Sequence, residues 1–406
     1  MTADGPPGGW ESLPTTECQQ CGTDVPAGAF CAACGATLSP QRGGWPARLR
    51  LKAYSAAPNQ HVLLPWVTSS IFPRLPRQSR SAFRLALIAL VVLLAVFALL
   101  RWQPPLIGIS SVGLPLLFLI YLRETDEFKD QSAVTLALTA ALSIGLGIGW
   151  ALATNAIWAR TYDDVLGTPM TTTDRLINLL AIPIGGVLLA LGPVAVMRLR
   201  RPGVRESLDG FVIGAVAALC FTAAGILTRA APEFATGLVD KDIPMHALFA
   251  LAAIRGIAAP LTAAAVGGMV GATLWFRPRT EPTQVRHWYS LTSPAPALAI
   301  ALLLYLGQNL IDYAWISYGE IVALYAVITV LAVLALRIVL HCALLHEASD
   351  ATSQDEAVLC PQCEHVVPDR AFCANCGIAA NAASRTSRRG RRTERPTPVD
   401  SPPEGP

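Results

Sequence analysis

Eight long apolar runs dominate the pattern of hydrophobic and polar positions along this chain of 406 residues. A helix needs about 20 consecutive apolar residues to cross a hydrocarbon core roughly 30 Å thick. The first run, "FRLALIALVVLLAVFALLR", carries arginine only at its two ends, as expected of a single crossing. The pattern therefore predicts eight transmembrane helices, at residues 83–100, 104–122, 132–158, 175–197, 208–230, 247–276, 294–316 and 319–340.

The charges between these runs predict how the helices are oriented. Arginine and lysine concentrate in every second loop, at 74–84, 123–129, 198–205 and 277–286, and again in the tail "SRRGRRTER". The other loops are poorer in basic residues and carry Asp163, Asp164, Glu233, Asp240 and Asp242. Because cytoplasmic loops are enriched in Lys and Arg, eight crossings place both termini in the cytoplasm. The start, "MTADGPPGGWESLPTTE", has no basic and apolar signal segment, so we expect it to stay there.

Composition agrees with a multi-pass membrane protein. The chain is 53% hydrophobic and 15% charged, with a mean hydropathy of +0.46, outside the range typical of soluble domains. A net charge of +3 is too small to indicate nucleic-acid binding. Lysine occurs only at Lys52, Lys129 and Lys241, and Ala, Gly and Pro are abundant, which favours a bacterial protein of the cell membrane.

Eight of the ten cysteines form two modules with the same internal spacing, "CQQCGTDVPAGAFCAACG" and "CPQCEHVVPDRAFCANCG". Each C-x-x-C turn presents two thiolates, and two such turns supply the tetrahedral four-sulfur shell of a structural Zn²⁺ site. The predicted ligands are Cys18, Cys21, Cys31 and Cys34 in one module and Cys360, Cys363, Cys373 and Cys376 in the other. Iron is an alternative on thiolates, whereas disulfides are disfavoured in a reducing cytoplasm. Glycine follows three of the four C-x-x-C pairs and supplies a positive φ, while Glu364 follows the fourth.

The predicted fold class is an all-α polytopic membrane protein with a small four-cysteine zinc ribbon at each end. The predicted units are ribbon 1 at 15–38, a Pro- and Arg-rich juxtamembrane linker at 39–80, the bundle at 81–345, ribbon 2 at 357–380 and a disordered basic tail at 381–406. In the linker, Trp66 and Phe72 are expected at headgroup level, with nearby arginines on anionic lipid. An even number of crossings returns both ribbons to one compartment, where we hypothesise that they pack together.

Polar residues inside the spans are candidates for function because they are costly there. They are Asn178, Asp209, Arg255, Gln308, Asn309, Asp312 and Glu320. Arg255 and Asp312 fall at similar depth on the sixth and seventh spans, so we predict a buried ion pair between them. That pair can join the two helices or lie on a substrate pathway. Glycine-rich strings such as "GLGIG" and "VGGMVG" predict close helix packing.

Residues 65–345 resemble the PrsW-type family of intramembrane proteases. The resemblance rests on "FPRLPRQSRSAFR", "YLRETDEFKD", "DGFVIGAVAALCFTAAG", "IRGIAAPLTAAAVGGMVGATL" and "GQNLIDYAW". Active members carry a Glu-Glu-x-x-Lys motif, a Phe-x-x-x-Glu motif and histidines on later spans, which would activate water or hold a metal. The positions that match these motifs in this chain are Gly185 and Gly186, Leu189, Phe221, Gly225, Ala263 and Gln308, while Asp312 is retained.

The resemblance therefore implies a protease-like scaffold without catalytic residues. The predicted function is a non-catalytic membrane adaptor, or pseudoprotease, whose paired zinc ribbons bind an unknown cytoplasmic protein partner. One alternative is an active protease that uses His246 with Asp240 or Asp242. A second alternative is a transporter or channel, for which Arg255 and Asp312 would mark the pathway.

Overall fold

The computed structural model describes residues 14–38, 53–58, 60–76, 79–163, 176–200, 206–235, 243–278, 291–314, 316–348 and 356–394. Two short antiparallel hairpins flank the helices in sequence, β1 (Thr15–Glu17) with β2 (Asp24–Pro26) and β3 (Ala357–Leu359) with β4 (Val366–Pro368). The helices are α1 (Val67–Ile71), α2 (Ser79–Leu99), α3 (Gln103–Glu124), α4 (Glu127–Asp130), α5 (Ala133–Asp163), α6 (Ile177–Leu199), α7 (Ser207–Ala230), α8 (Met245–Trp275), α9 (Pro294–Asp312), α10 (Tyr318–His346) and α11 (Arg385–Thr393).

Eight of these helices are long and apolar enough to cross a membrane, which confirms the predicted fold class. They are α2, α3, α5, α6, α7, α8, α9 and α10, one for each predicted span. The largest differences from the predicted bounds are at the ends of α10 and α5, which continue to His346 and Asp163. The start of α10, at Tyr318, lies within one residue of its predicted place. Ser317 and Glu320 form a capping box there, with reciprocal side-chain to backbone hydrogen bonds, so α10 has a defined start. Glu320 is thus a capping residue and is exposed.

The closest helix contact in the bundle is between α7 and α8, at two facing glycine pairs. Gly210 and Gly214 on α7 lie against Gly267 and Gly271 on α8. A Cβ added to Gly214 would lie 2.0 Å from the carbonyl oxygen of Gly267. Small residues four positions apart let the backbones of membrane helices approach in this way. The packing predicted from "VGGMVG" is therefore confirmed.

Because the two backbones are this close, we expect one added side chain to lower the stability of the protein strongly. Gly267→Val should separate α7 from α8 and lower the free energy of unfolding by about 2–3 kcal/mol, as overpacking does. Gly149→Val is the matched control on α5, because a Cβ there meets no heavy atom within 4 Å. Thermal unfolding of the two variants in detergent measures the difference. Equal melting temperatures would show that the glycine contact does not hold these helices together.

The predicted juxtamembrane linker is folded against the bundle where the structure describes it. Arg337 of α10 is fully buried and holds this segment. Its guanidinium donates to the carbonyl oxygens of Val62 and His61 and to the hydroxyls of Ser69 and Ser70, at 2.8–3.0 Å. A buried guanidinium is tolerated because its donors are satisfied.

Phe72 differs from its predicted place at headgroup level. It is 1% exposed and packs against Phe83 and Tyr121, each with ring centroids 5.2 Å away. Trp66, by contrast, is exposed, with the guanidinium of Arg84 5.7 Å from its ring.

The basic tail also differs from the predicted disorder, since residues 385–393 form α11. Its arginines pair with carboxylates of distant elements. Arg388 lies 2.6 Å from Glu206 and Arg392 lies 2.6 Å from Asp369. These pairs compensate the charge that otherwise disfavours order in an Arg-rich segment. Residues 395–406 lie outside the described part of the chain.

Candidate metal centres and the cavity inside the bundle

Each cysteine module is a hairpin followed by a second turn, and each pair of turns faces inward. The hairpins pair Thr16 with Val25 and Val358 with Val367. Gly22, Gly35 and Gly377 have φ between 67° and 73°, and Glu364 has φ 59°. The prediction that the turns need left-handed residues after the second cysteine is therefore confirmed. We call residues 14–38 ribbon 1 and residues 356–380 ribbon 2.

The sulfur atoms in each ribbon are placed for one shared metal ion. All four Sγ atoms lie within 4.8 Å of one another in both clusters. The Sγ–Sγ distances are 3.8 Å for Cys18–Cys34 and Cys21–Cys31, and 3.9 and 3.8 Å for Cys360–Cys376 and Cys363–Cys373. A tetrahedron with Zn–S bonds of about 2.3 Å has sulfurs about 3.8 Å apart. All ten cysteines are described and none forms a disulfide.

The two ribbons pack against each other as the two halves of a pseudo-symmetric dimer. The N–H of Phe30 donates to the carbonyl oxygen of Ala374, and the N–H of Phe372 donates to that of Ala32, both at 3.0 Å. Phe372 and Ala374 occupy in ribbon 2 the positions that Phe30 and Ala32 occupy in ribbon 1. The same patch of each ribbon therefore contacts its copy, as in an isologous interface.

The glycines of the second turns make this contact possible. The ring of Phe372 covers Gly35, and the ring of Phe30 covers Gly377, so that a Cβ on either glycine would lie under 3 Å from the ring. Glycine is thus needed at each position for two reasons. It adopts the positive φ of the turn, and it has no side chain that would collide with the phenylalanine ring. The hypothesis that the two ribbons pack together agrees with the structure.

Ribbon 2 shares a hydrophobic core with the helices, whereas ribbon 1 has a core of its own. Cys360, Cys373 and Phe372 belong to the main core cluster of the bundle, whereas the buried residues of ribbon 1 form a cluster of their own. Gln362 of ribbon 2 accepts a hydrogen bond from Arg80 at 2.9 Å and donates to the carbonyl oxygen of Leu75. Ribbon 2 is therefore the half of the pair that is anchored on the bundle.

A buried ionic cluster lies beside this anchor. The side chain of Arg74 is 1% exposed and contacts Glu127 at 2.6 Å, Asp209 at 3.2 Å and Glu206 at 3.5 Å. Burial alone would lower the pKa of Arg74, but these three carboxylates outweigh it and raise the pKa well above the usual range. Arg385 of α11 contacts Asp209 at 2.8 Å, so the cluster joins the tail to the bundle.

Asp130 caps α11 from a different element. Its carboxylate accepts hydrogen bonds from the N–H groups of Arg385 and Thr386 and from the hydroxyl of Thr386. A negative group is favourable at a helix N-terminus. Burial alone would raise the pKa of Asp130, but these hydrogen bonds lower it below its usual value.

Glu347 lies next to the same cluster, and its pKa is shifted in the opposite direction, above its usual value. It is 2% exposed and accepts from the N–H and the hydroxyl of Ser207 at 2.6 and 2.9 Å. Burial raises its pKa to about 7, with a smaller contribution from Glu206, and the hydrogen bonds from Ser207 offset only part of this. The folded protein therefore keeps the proton on Glu347 up to a higher pH than the unfolded chain does.

We expect stability to depend on pH through this residue. Between its usual pKa of 4.5 and the folded value of about 7, the folded state binds more protons than the unfolded state. Stability should therefore fall as pH rises across this window, by about 3 kcal/mol, and stay level above it. Unfolding of Glu347→Gln and of the unchanged chain, compared at about pH 5 and about pH 8, isolates this contribution. A variant that keeps the full pH dependence would assign it to other groups.

The bundle also contains a cavity of about 870 Å³ at the end distal to the ribbons. It is lined by parts of α5 to α10. One π-turn, Ile254–Ala258, contributes to the lining, and another, Ile177–Ala181, ends directly before the lining residue Ile182. Such turns leave backbone carbonyls without their usual partners. Asn309 donates to the carbonyl oxygens of Asn178 and Leu179 at 3.1 and 3.2 Å, which satisfies one of the turns.

Arg255 and Asp312 both line this cavity, but the predicted ion pair between them is wrong. Arg255 lies 3.9 Å from Glu233, and Asp312 accepts a hydrogen bond from the hydroxyl of Tyr325 at 2.8 Å. Arg255 lies within the π-turn Ile254–Ala258, and Glu233 lies just beyond the end of α7. In the described part of the chain, Asp312 is the only carboxylate that lines the cavity.

Several positions that match the protease motifs meet in the same cavity. Gly186, Phe221, Gly225 and Gln308 line it together with Asp312. Gly185 and Gly186 lie against the indole ring of Trp150, which a Cβ on either glycine would approach to 2.7 or 3.1 Å. His246 is exposed, and its ring lies 5.2 Å from that of Tyr318. Asp240 and Asp242, its suggested partners, lie outside the described residues.

No family model, no curated protein and no solved structure matches this chain. The resemblance to PrsW-type proteases accordingly stays a prediction that rests on the quoted strings.

Sequence reasoning missed two buried cations, Arg74 and Arg337. Arg337 lies inside the predicted eighth span, so the cost of a charge in an apolar run could have identified it. Arg74 lies before the first span, where an arginine is ordinary, and its partners Glu127 and Asp209 come from later parts of the chain. No local pattern indicates that contact.

Proposed function

We propose that this protein is a non-catalytic membrane scaffold that holds two structural zinc ions in its paired ribbons and presents the pair to a cytoplasmic protein. The observation that carries the proposal is the reciprocal contact of Phe30 with Ala374 and of Phe372 with Ala32, on a ribbon that is itself anchored to the bundle. A rigid pair fixed to the membrane suits a docking platform better than two flexible modules, because less freedom is lost on binding.

Zinc is the metal that best fits the thiolate sites. Four cysteines at tetrahedral spacing leave no position for a substrate, as in structural zinc sites. Such small modules have little core of their own, so metal binding supplies most of their folding free energy, about 10 kcal/mol or more. The zinc ions thus have a structural role in this proposal and take part in no reaction.

The cavity supports the non-catalytic reading. Hydrolysis of a peptide bond needs a group that activates water and a group that protonates the leaving amine, or a metal. The described lining offers one carboxylate, Asp312, which is engaged by Tyr325. That the motif-matched positions Gly186, Phe221, Gly225 and Gln308 share one cavity supports a common origin with the PrsW-type scaffold.

Two measurements on the full-length protein test this function. Purified protein should contain two zinc ions per chain and should not cleave quenched fluorescent transmembrane peptides after reconstitution into vesicles. A protein partner crosslinked in cells should be retained by the unchanged chain and lost from the Cys376→Ser variant at equal membrane levels. Peptide cleavage that is abolished by Asp312→Asn would instead support the protease alternative.

A further inference from the structure

Among the described residues, the polar part of the distal cavity carries two arginines, Arg229 and Arg255, and one carboxylate, Asp312. Arg229, exposed near the end of α7, lines the cavity and has no carboxylate within 4 Å among the described residues. Gln308 is 7% exposed, and its Nε2 has no hydrogen-bond partner in the described part of the chain. The other charged groups are already engaged, since Arg255 faces Glu233 and Asp312 holds the hydroxyl of Tyr325.

A cation without a neighbouring carboxylate and a buried N–H donor without an acceptor lie in the same cavity. Both favour a ligand group that is negatively charged. A buried N–H without a partner costs about 1–3 kcal/mol, so it is rarely left unused. An arginine within a membrane-spanning helix is a functional candidate by default. Because Arg229 and Gln308 come from α7 and α9, the ligand would bridge two helices that both line the cavity.

The rest of the wall is suited to an apolar chain. Phe221, Ile226, Leu251 and Ile254 line it with hydrocarbon and aromatic surface. Gly225 keeps space open in front of Arg229, because a Cβ there would meet only the Arg229 Nη1, at 3.8 Å. At about 870 Å³, the cavity has the volume of small-molecule sites.

We propose that this cavity binds a membrane lipid with a single anionic headgroup and an apolar tail. The headgroup accepts hydrogen bonds from the guanidinium of Arg229 and from Gln308 Nε2, and the tail lies along the apolar wall beside Gly225. The inference concerns the bundle alone and does not depend on the metal content of the ribbons. It adds a ligand to a cavity for which the proposed scaffold function requires none.

Lipid binding is tested on delipidated full-length protein in detergent by native mass spectrometry. The probes are lysophosphatidic acid, lysophosphatidylcholine with the same acyl chain, and inorganic phosphate. Charge-assisted hydrogen bonds to the headgroup should make lysophosphatidic acid bind about tenfold more tightly than lysophosphatidylcholine. Inorganic phosphate should compete weakly, because it has no tail. Equal binding of the two lipids, or full competition by phosphate, would overturn the proposal.

Variants at the headgroup site sharpen the test. Arg229→Gln should weaken lysophosphatidic acid about tenfold and leave lysophosphatidylcholine unchanged. Arg101→Gln is the matched control, since it removes the same charge at the same end of the bundle, outside the cavity lining. If both variants weaken the lipid equally, the effect is a general surface attraction and the specific site is wrong.

Variants at the tail site and at Gln308 separate binding from folding. Gly225→Phe should fill the cavity and abolish binding, while Gly225→Ala should keep it, at unchanged melting temperatures. Gln308→Leu should weaken lysophosphatidic acid and raise the melting temperature of the lipid-free protein, since it removes an unsatisfied buried donor. A Gln308→Leu protein that is less stable and keeps its lipid preference would show that Gln308 is structural, and lipid binding by a well-folded Gly225→Phe would place the tail elsewhere.

Discussion

Arg74→Met should be the most damaging substitution of an arginine before the first span, lowering the free energy of unfolding by about 3–5 kcal/mol. Methionine keeps the length and apolar volume of the side chain but removes the charge. Glu127 would then be left buried without its 2.6 Å partner, next to Asp209 and Glu206. Arg385 would still contact Asp209 and Arg388 would still contact Glu206, so the uncompensated charge would fall on Glu127, whose side chain is fully buried.

The comparison that isolates this effect uses Arg84→Met. Arg84 lies in the same basic segment, is exposed, and contacts the ring of Trp66 at 5.7 Å. An exposed contact of this kind contributes about 0.5–1 kcal/mol. Unfolding in mixed detergent should therefore separate the two variants clearly. Equal stabilities would mean that the carboxylates are neutral in the folded protein and that Arg74 is not needed to compensate them.

Cys376→Ser should have a larger effect on the whole protein than Cys34→Ser, although the two cysteines are equivalent within their ribbons. Each substitution removes one ligand of four and should reduce the metal content from two ions per chain to one. Loss of a structural site costs about 10 kcal/mol of metal-linked folding free energy in its own ribbon. The two variants should differ because the two ribbons make different contacts with the bundle.

Ribbon 2 shares its core with the bundle, and ribbon 1 has a core of its own. Unfolding of ribbon 2 should therefore expose Leu75 and the ionic cluster around Arg74, while unfolding of ribbon 1 should leave them protected. Hydrogen exchange over residues 60–76 and 385–393, with zinc content measured in parallel, distinguishes the variants. Equal protection in both would contradict the anchoring of ribbon 2.

The parts of this fold that follow from local patterns were predicted from sequence. Apolar runs of membrane length gave the eight helices, and repeated spacing gave the cysteine ligands, because both features are contiguous or nearly so along the chain. Close packing at "VGGMVG" was predictable for the same reason, although the facing pair Gly210 and Gly214 was identified only by the structure.

The parts that depend on distant partners were not predicted. Arg388 and Arg392 looked like a disordered basic tail because their partners Glu206 and Asp369 lie elsewhere in the sequence. Arg255 and Asp312 were paired by their depth in the membrane alone, and depth does not identify Glu233 as the carboxylate that lies beside Arg255. The charge pattern indicated which residues need partners and gave no information on which partners they find.

Which polar side chain of the cavity lacks a hydrogen-bond partner also depends on distant contacts and was not predicted. Gln308 was identified from sequence as costly in a span, together with Asn178 and Asn309. The structure separates them, since Asn309 and Asn178 satisfy a π-turn and the indole of Trp158. Of these three amides, only Gln308 has a buried side-chain nitrogen that remains without a partner in the described chain.

Crosslinking between the two ribbons tests most directly whether the two ends of the chain form one paired module. A Cβ on Gly28 would lie 3.2 Å from that of Ala374 and 2.7 Å from its carbonyl oxygen. The Cβ atoms of a disulfide are usually about 3.5–4.5 Å apart, so the two ribbons need to separate by only a few tenths of an ångström for the crosslink to form. Zinc-loaded protein with Gly28→Cys and Ala374→Cys should form an intramolecular disulfide under mild oxidation, whereas Thr16→Cys, at an exposed position on β1, with Ala374→Cys should not. Crosslinks only between separate molecules, or none at zinc saturation, would contradict the paired module.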